Sequence, residues 1–121
     1  MILFLDDDEN RHNVFKKIVP GADRVFTARR CINALAYKKY DVVLLDHDLG
    51  GETFVSSDGE NTGMEVVRWI EKNKPEIRTI IVHSWNTSAG PVMVSRLQSA
   101  GYNAFYIPFQ PAALRKLMTY E

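Results

Sequence analysis

The chain of 121 residues predicts an α/β fold: a mainly parallel sheet with helices on both faces. Three observations carry this. Two runs, Met1 to Leu5 and Val42 to Leu45, are apolar at every position and end abruptly in aspartates, as buried parallel strands do where their carboxyl ends open to solvent. Between strand-like runs lie segments with apolar residues at helical spacing. The two kinds of segment alternate along the chain, and parallel neighbours need right-handed crossovers that place helices on both sides of the sheet.

Each element has its own signal. After the first strand, Val14, Phe15 and Ile18 define a helix over Glu9 to Ile18, stopped by Pro20-Gly21. Arg24 to Thr27 reads as a short strand, and Ala28 to Tyr37 as a helix presenting Ile32, Leu35 and Ala36. Asp41 to Asp46 is the clearest strand. From Gly50 to Thr62 the residues are mostly Gly, Ser, Thr, Asp and Asn, a loop long enough to serve as a functional flap. Gly63 to Asn73 is a helix burying Val66, Val67 and Ile70, closed by Pro75, and Thr79 to Val82 is the fourth strand. A helix from Pro91 to Ala100, a strand from Ala104 to Ile107 and a helix from Pro111 to Met118 complete a single predicted domain over 1–121. Ligands of such sheets collect beyond the carboxyl ends of the strands. Topology alone therefore gathers Asp6, Asp7, Asp8, Asp46, His47, Asp48, His83, Ser84 and Asn86 at one edge.

Composition narrows the function. Fifteen basic and fifteen acidic residues cancel, so no net field draws the molecule to nucleic acid or anionic lipid in general. The basic pairs at Lys16, Arg29 and Lys38 read as solvated helix faces. No apolar run is long enough to span a bilayer, Met1 leads at once into a strand, and the lone Cys31 has no disulfide partner, so a cytoplasmic protein with a buried thiol is expected.

Asp6, Asp7, Asp8 and Glu9 crowd four negative charges, which is costly without a compensating cation or hydrogen bonds. A divalent metal, magnesium or manganese, is the expected compensator, with Asp6, Asp7, Asp46 and Asp48 as its oxygen ligands. Asp8 and Glu9 are read as capping the first helix. His47 and His83 end strands expected to be neighbours, roughly 5 Å apart, so both imidazoles could reach one phosphate as base and acid, beside Asp46. Arg11 could bind a phosphate bidentately at the same mouth or be a surface charge. Ser84 and Asn86 can donate to a phosphoryl oxygen. His12 has no partner pattern and is expected to be exposed, and Trp85 is a core aromatic or a base-stacking platform, the core being favoured.

The order of these residues resembles a response-regulator receiver domain over nearly the whole chain. The match rests on Asp6 and Asp7 after the first strand, Asp-Val-Val-Leu-Leu-Asp46 in the third, Thr-Gly-Met-Glu-Val at Thr62 to Val66, Ser84 after the fourth strand, and the Gly-Tyr-Asn-Ala-Phe-Tyr-Ile-Pro-Phe run ending at Phe109. It implies a receiver or flavodoxin-like sheet in the order 2-1-3-4-5, metal at Asp6 and Asp7, a phosphoacceptor at Asp46 and a switch hydroxyl at Ser84. Where a receiver has a lysine before the proline after strand five, this chain has Ile107. Together with the longer 46–63 segment, the Asp46-His47-Asp48-Leu49-Gly50 and His83-Ser84-Trp85-Asn86 motifs and Arg11, this looks like the divergent cyclic-phosphate-processing receiver domains of phages and bacteria. That resemblance implies a phosphoesterase acting on a cyclic phosphate of a nucleotide or RNA end. The alternatives are a signalling module phosphorylated on Asp46 and a protein that sequesters a phosphorylated nucleotide. Self-association through the outer helices is also open.

Overall fold

The computed structural model describes residues 1–51 and 55–119, so residues 52–54 of the expected flap lie outside the described residues. Its elements in chain order are β1 (Ile2–Leu5), α1 (Glu9–Ile18), β2 (Asp23–Val25), α2 (Ala28–Tyr37), β3 (Tyr40–Leu45), α3 (Gly63–Asn73), β4 (Ile77–Val82), α4 (Ala89–Ser99), β5 (Ala104–Tyr106) and α5 (Pro111–Thr119). The five strands pair in parallel throughout, in the order β2-β1-β3-β4-β5, as expected.

Alternation along the strands splits the core in two. Leu3, Leu5, Val43, Leu45, Ile80 and Val82 pack with Cys31 and Leu35 of α2, Val66, Val67 and Ile70 of α3, and Met93 and Leu97 of α4. Phe4, Val42, Leu44 and Ile81 face the other way, onto Phe15 of α1 and Leu114 of α5. Each such side chain, fully buried, contributes about 1.5–3 kcal/mol. The two layers hold the sheet rigid from both sides, and its carboxyl edge is thereby a fixed platform. Cys31 is buried, and burial raises its thiol pKa.

Element ends move for identifiable reasons. β2 stops at Val25 because Thr27 is already the cap of α2, its hydroxyl accepting from Arg30 N at 3.1 Å. α4 starts at Ala89, before the expected Pro91, because the Asn86 side-chain oxygen accepts from Ser88 N and Ala89 N. Pro91 then sits in the first turn, where an N–H has no intrahelical acceptor to lose. Among the described residues no helix is long and apolar enough to cross a membrane.

Candidate active site

β1, β3 and β4 deliver their C-terminal side chains to one edge, and the ladder runs on past each strand: Asp46 N donates to Leu5 O at 3.2 Å and His83 N to Leu45 O at 2.9 Å. α3 closes on the same corner. A Cβ at Gly63 would collide with the Asp46 carbonyl oxygen, so glycine lets the start of α3 press against the end of β3, where Gly63 N donates to His47 O at 2.9 Å.

Asp6 is fully buried. Its Oδ1 accepts from Asp8 N at 2.8 Å and its Oδ2 from Arg11 Nε at 2.8 Å. Asp7 Oδ2 accepts from Gly51 N at 2.6 Å. Asp46 Oδ1 accepts from His47 N at 2.9 Å, whereas the buried Asp46 Oδ2 has no hydrogen-bond partner. Burial and the neighbouring Asp6 charge, opposed by Arg11, push the Asp46 carboxyl up to about 8. One oxygen from each of Asp6, Asp7 and Asp46 lies within 4.8 Å of the others. Three carboxylates that converge, one of them with a buried oxygen that has no hydrogen bond, fit a magnesium or manganese ion.

Arg11 reaches inward from the first turn of α1. Beyond its bond to Asp6, Nη2 stands 3.8 Å from Asp7 and 3.7 Å from Asp46, and Nη1 3.9 Å from Asp8. Asp8 caps α1, its Oδ1 accepting from Asn10 N and Arg11 N. A cavity of about 390 Å³ opens over this group, lined by Asp7, Asp8, Arg11, Asp46, Asp48, Gly51, His83, Ser84 and Trp85. That size is within the range of small-molecule sites.

The two strand-end histidines do not converge. His83 continues the Ile81 face, stacked on Phe4 at 4.9 Å between ring centroids and edge-on to Phe109 at 5.8 Å. Its Nε2–H donates to Leu5 O at 2.9 Å, so Nδ1 carries the lone pair and faces Asp6 Oδ2 at 3.6 Å. Burial lowers the His83 pKa to about 4, and the ring is neutral at pH 7. His47 continues the Leu45 face and is absent from the cavity wall. Its Nδ1–H donates to Asp48 Oδ1 at 2.8 Å, and its Nε2 meets the Ser57 hydroxyl at 2.9 Å. Asp48 Oδ1 also accepts from Val55 N and Asn86 Nδ2, each at 3.2 Å. His47, Asp48 and Asn86 thus tie the 55–62 loop and the start of α4 to β3. Ser84 lines the cavity, and its Oγ accepts from Asn86 N at 3.0 Å.

Two further expectations are corrected. His12 is buried, not exposed. It lies three residues before Phe15 on the buried stripe of α1; its Nε2–H donates to Asp6 O at 2.7 Å and its ring stacks on Phe26 at 3.8 Å. Desolvation lowers its pKa. Trp85, read as core, is 65% exposed, because β4 has ended and its indole N–H is captured by Phe109 O at 3.0 Å. The sequence reading also missed three contributors: Gly51, whose N–H holds Asp7; Gly63; and Ser57, the partner of His47. The Gly50-Gly51 pair after the third strand and the Thr62-Gly63 motif carried readable signals, but not these roles.

This doubly wound sheet with acids at the ends of its first and third strands is a receiver fold. Solved receivers overlay it along nearly its whole length: a response regulator from Colwellia psychrerythraea (TM-score 0.71, 19% identity, covering 98% of this chain and 93% of that one) and the signal receiver domain of a Luxo repressor protein from Vibrio parahaemolyticus (0.70, 18%, 98% and 86%). The response regulator TrrA from Thermotoga maritima, solved with Mg(2+)-BeF, overlays at 0.66 with 22% identity, covering 98% and 96%. Within that fold, residues 1–99 match the model of the cyclic-phosphate processing receiver domain, and the chain belongs to that family. Comparison with curated proteins gives no match.

Proposed function

We propose that this chain is a phosphoesterase that opens a cyclic phosphate on a nucleotide or an RNA end. The observation that carries the reading is the buried Asp46 Oδ2, which has no hydrogen-bond partner, set beside Asp6 and Asp7 under a ligand-sized cavity. Those three carboxylates would hold a divalent cation, which when bound polarises a phosphoryl oxygen. Arg11 is anchored through Nε to Asp6, while its Nη groups stand farther than hydrogen-bond distance from the other acids. They are placed to take two phosphate oxygens. Ser84 Oγ lines the cavity and accepts from Asn86 N, which leaves its hydroxyl hydrogen available to a phosphoryl oxygen. His83, on the cavity wall with an unprotonated Nδ1 at neutral pH, would take the proton of the water that attacks phosphorus and return it to the ribose oxygen released as the ring P–O bond breaks. His47, Asp48 and Asn86 contribute by positioning.

The purified chain, given adenosine 2′,3′-cyclic phosphate, 3′,5′-cyclic nucleotides and RNA ending in a 2′,3′-cyclic phosphate, is expected to cleave at least one class with magnesium or manganese and none in EDTA. Cleavage of none under any metal would overturn the enzyme reading. A second reading, a receiver phosphorylated on Asp46, is favoured by the same free oxygen and opposed by Ile107, which leaves an aspartyl phosphate without the strand-five cation. Stable acetyl-phosphate labelling that disappears in Asp46→Asn would select it.

A further inference from the structure

We infer that Trp85 and the groove beside it form a nucleobase subsite, so that the cyclic phosphate handled here belongs to a nucleotide and not to a sugar phosphate or other baseless ester. The inference rests on the proposed phosphate site and extends it. Trp85 is 65% exposed in a chain whose other tryptophan is packed against the core. A single exposed side chain is ordinary on a protein surface, but this one stands in the wall of two neighbouring cavities. The ring is nevertheless fixed. Its Nε1–H donates to Phe109 O at 3.0 Å, Phe109 N donates to His83 O at 2.8 Å, and the preceding Ser84 carbonyl accepts from the Tyr106 hydroxyl at 2.9 Å. A wall held this way binds with little ordering cost.

A second cavity, about 380 Å³, adjoins this wall, with Val14, Phe109 and Pro111 as its apolar lining and Asn10 among its polar residues. The two cavities share Asp8, Arg11 and Trp85. The Arg11 guanidinium carbon is 5.9 Å from the Trp85 ring centroid while its Nη2 is 3.7 Å from Asp46. One side chain therefore links the anion site to the aromatic platform. A ligand with phosphate in the first cavity and a flat aromatic ring in the second runs along that link. A nucleobase meets this description: its π-face stacks on indole, and its polar edge meets the Asp8 carboxylate and the Asn10 amide. Stacking of this kind tolerates any base, so selectivity among bases is expected to be weak.

The test compares adenosine 2′,3′-cyclic phosphate with ribose 2,3-cyclic phosphate, titrated in magnesium against Trp69→Phe, in which Trp85 is the remaining tryptophan. The nucleotide is expected to quench Trp85 emission and to bind at least about tenfold more tightly than the baseless compound, from the usual worth of one base–aromatic stack. That ratio is expected to fall to about one in Trp85→Ala, followed by calorimetry, and to stay intermediate in Trp85→Phe. Equal affinities, or a ratio that survives Trp85→Ala, would overturn the subsite and leave the phosphate site standing. Quenching and a preserved ratio without cleavage of either compound would support the subsite and remove the esterase reading. Binding of neither compound would overturn both.

Discussion

Asp46→Asn is expected to stabilise the metal-free protein at mildly alkaline pH, against the usual outcome of altering a buried polar group. The side chain keeps its shape, and the new amide oxygen still accepts from His47 N, so what is removed is the charge. In the folded chain the Asp46 carboxyl is pushed up to about 8, first by burial and then by Asp6. A raised acid contributes stability that is complete below its unfolded pKa and lost as pH rises through the folded one. His83 acts in the opposite sense: its pKa falls to about 4, so its contribution is complete above its unfolded value and is lost on acidification. The two oppose each other below about pH 6.5. Above it Asp46 acts without that opposition, and at about 1.4 kcal/mol per pH unit the wild type is expected to lose about 2 kcal/mol between pH 6.5 and 8. Urea unfolding in EDTA at both pH values measures this directly. The wild-type slope should vanish in Asp46→Asn, and saturating magnesium should stabilise the wild type more at pH 8 than at 6.5 and the variant little at either. Parallel pH dependences in wild type and variant would refute the reasoning.

Other perturbations have separate readouts. Asp7→Asn is expected to weaken magnesium or manganese binding at least about tenfold by calorimetry, since it removes one of three converging carboxylates. His83→Gln should lower cyclic-phosphate cleavage by about 10²–10⁴ with metal affinity retained, whereas His47→Gln should act through the 55–62 loop and raise its amide exchange first. Gly63→Ala forces a methyl group onto the Asp46 carbonyl, and a loss of about 1–3 kcal/mol is expected in thermal unfolding, together with weaker metal binding because the carboxylate moves with its backbone.

The architecture was legible because its signals are local and repeated. Val42 to Leu45 is apolar on both faces, and the structure buries all four; only a strand covered by helices on both sides asks for that. Boundaries were less legible where a side chain outside the element decides them. Nothing in the apolar pattern says that the Asn86 side chain holds the first N–H groups of α4, because it lies three residues before the helix and the proline at 91 reads as a start signal in its own right. β4 begins at Ile77, ahead of the expected Thr79, because Tyr40 pairs with Ile77 across the sheet, a partner the single segment cannot reveal.

The site was legible as a place and much less as a geometry. That Asp6, Asp7 and Asp46 share an edge follows from topology, since β1 and β3 are neighbours in the sheet. Which histidine enters the cavity depends on register and parity together. Leu45 pairs with Val82, so Asp46 stands opposite His83 and His47 opposite Ser84, and successive side chains then fall on opposite faces. Counting strand ends placed the two imidazoles side by side. Counting from the last paired residue separates them, sending His83 with Ile81 toward Phe4 and His47 with Leu45 toward Ser57. Charge behaves likewise: the sequence shows an acidic run needing compensation, but Arg11, five residues on from Asp6, supplies part of it from within. Arg11 bonds Asp6 through Nε but stops 3.7 Å short of Asp46 Oδ2, so that buried oxygen keeps no hydrogen bond, and this is what separates the arrangement from a closed structural ion pair.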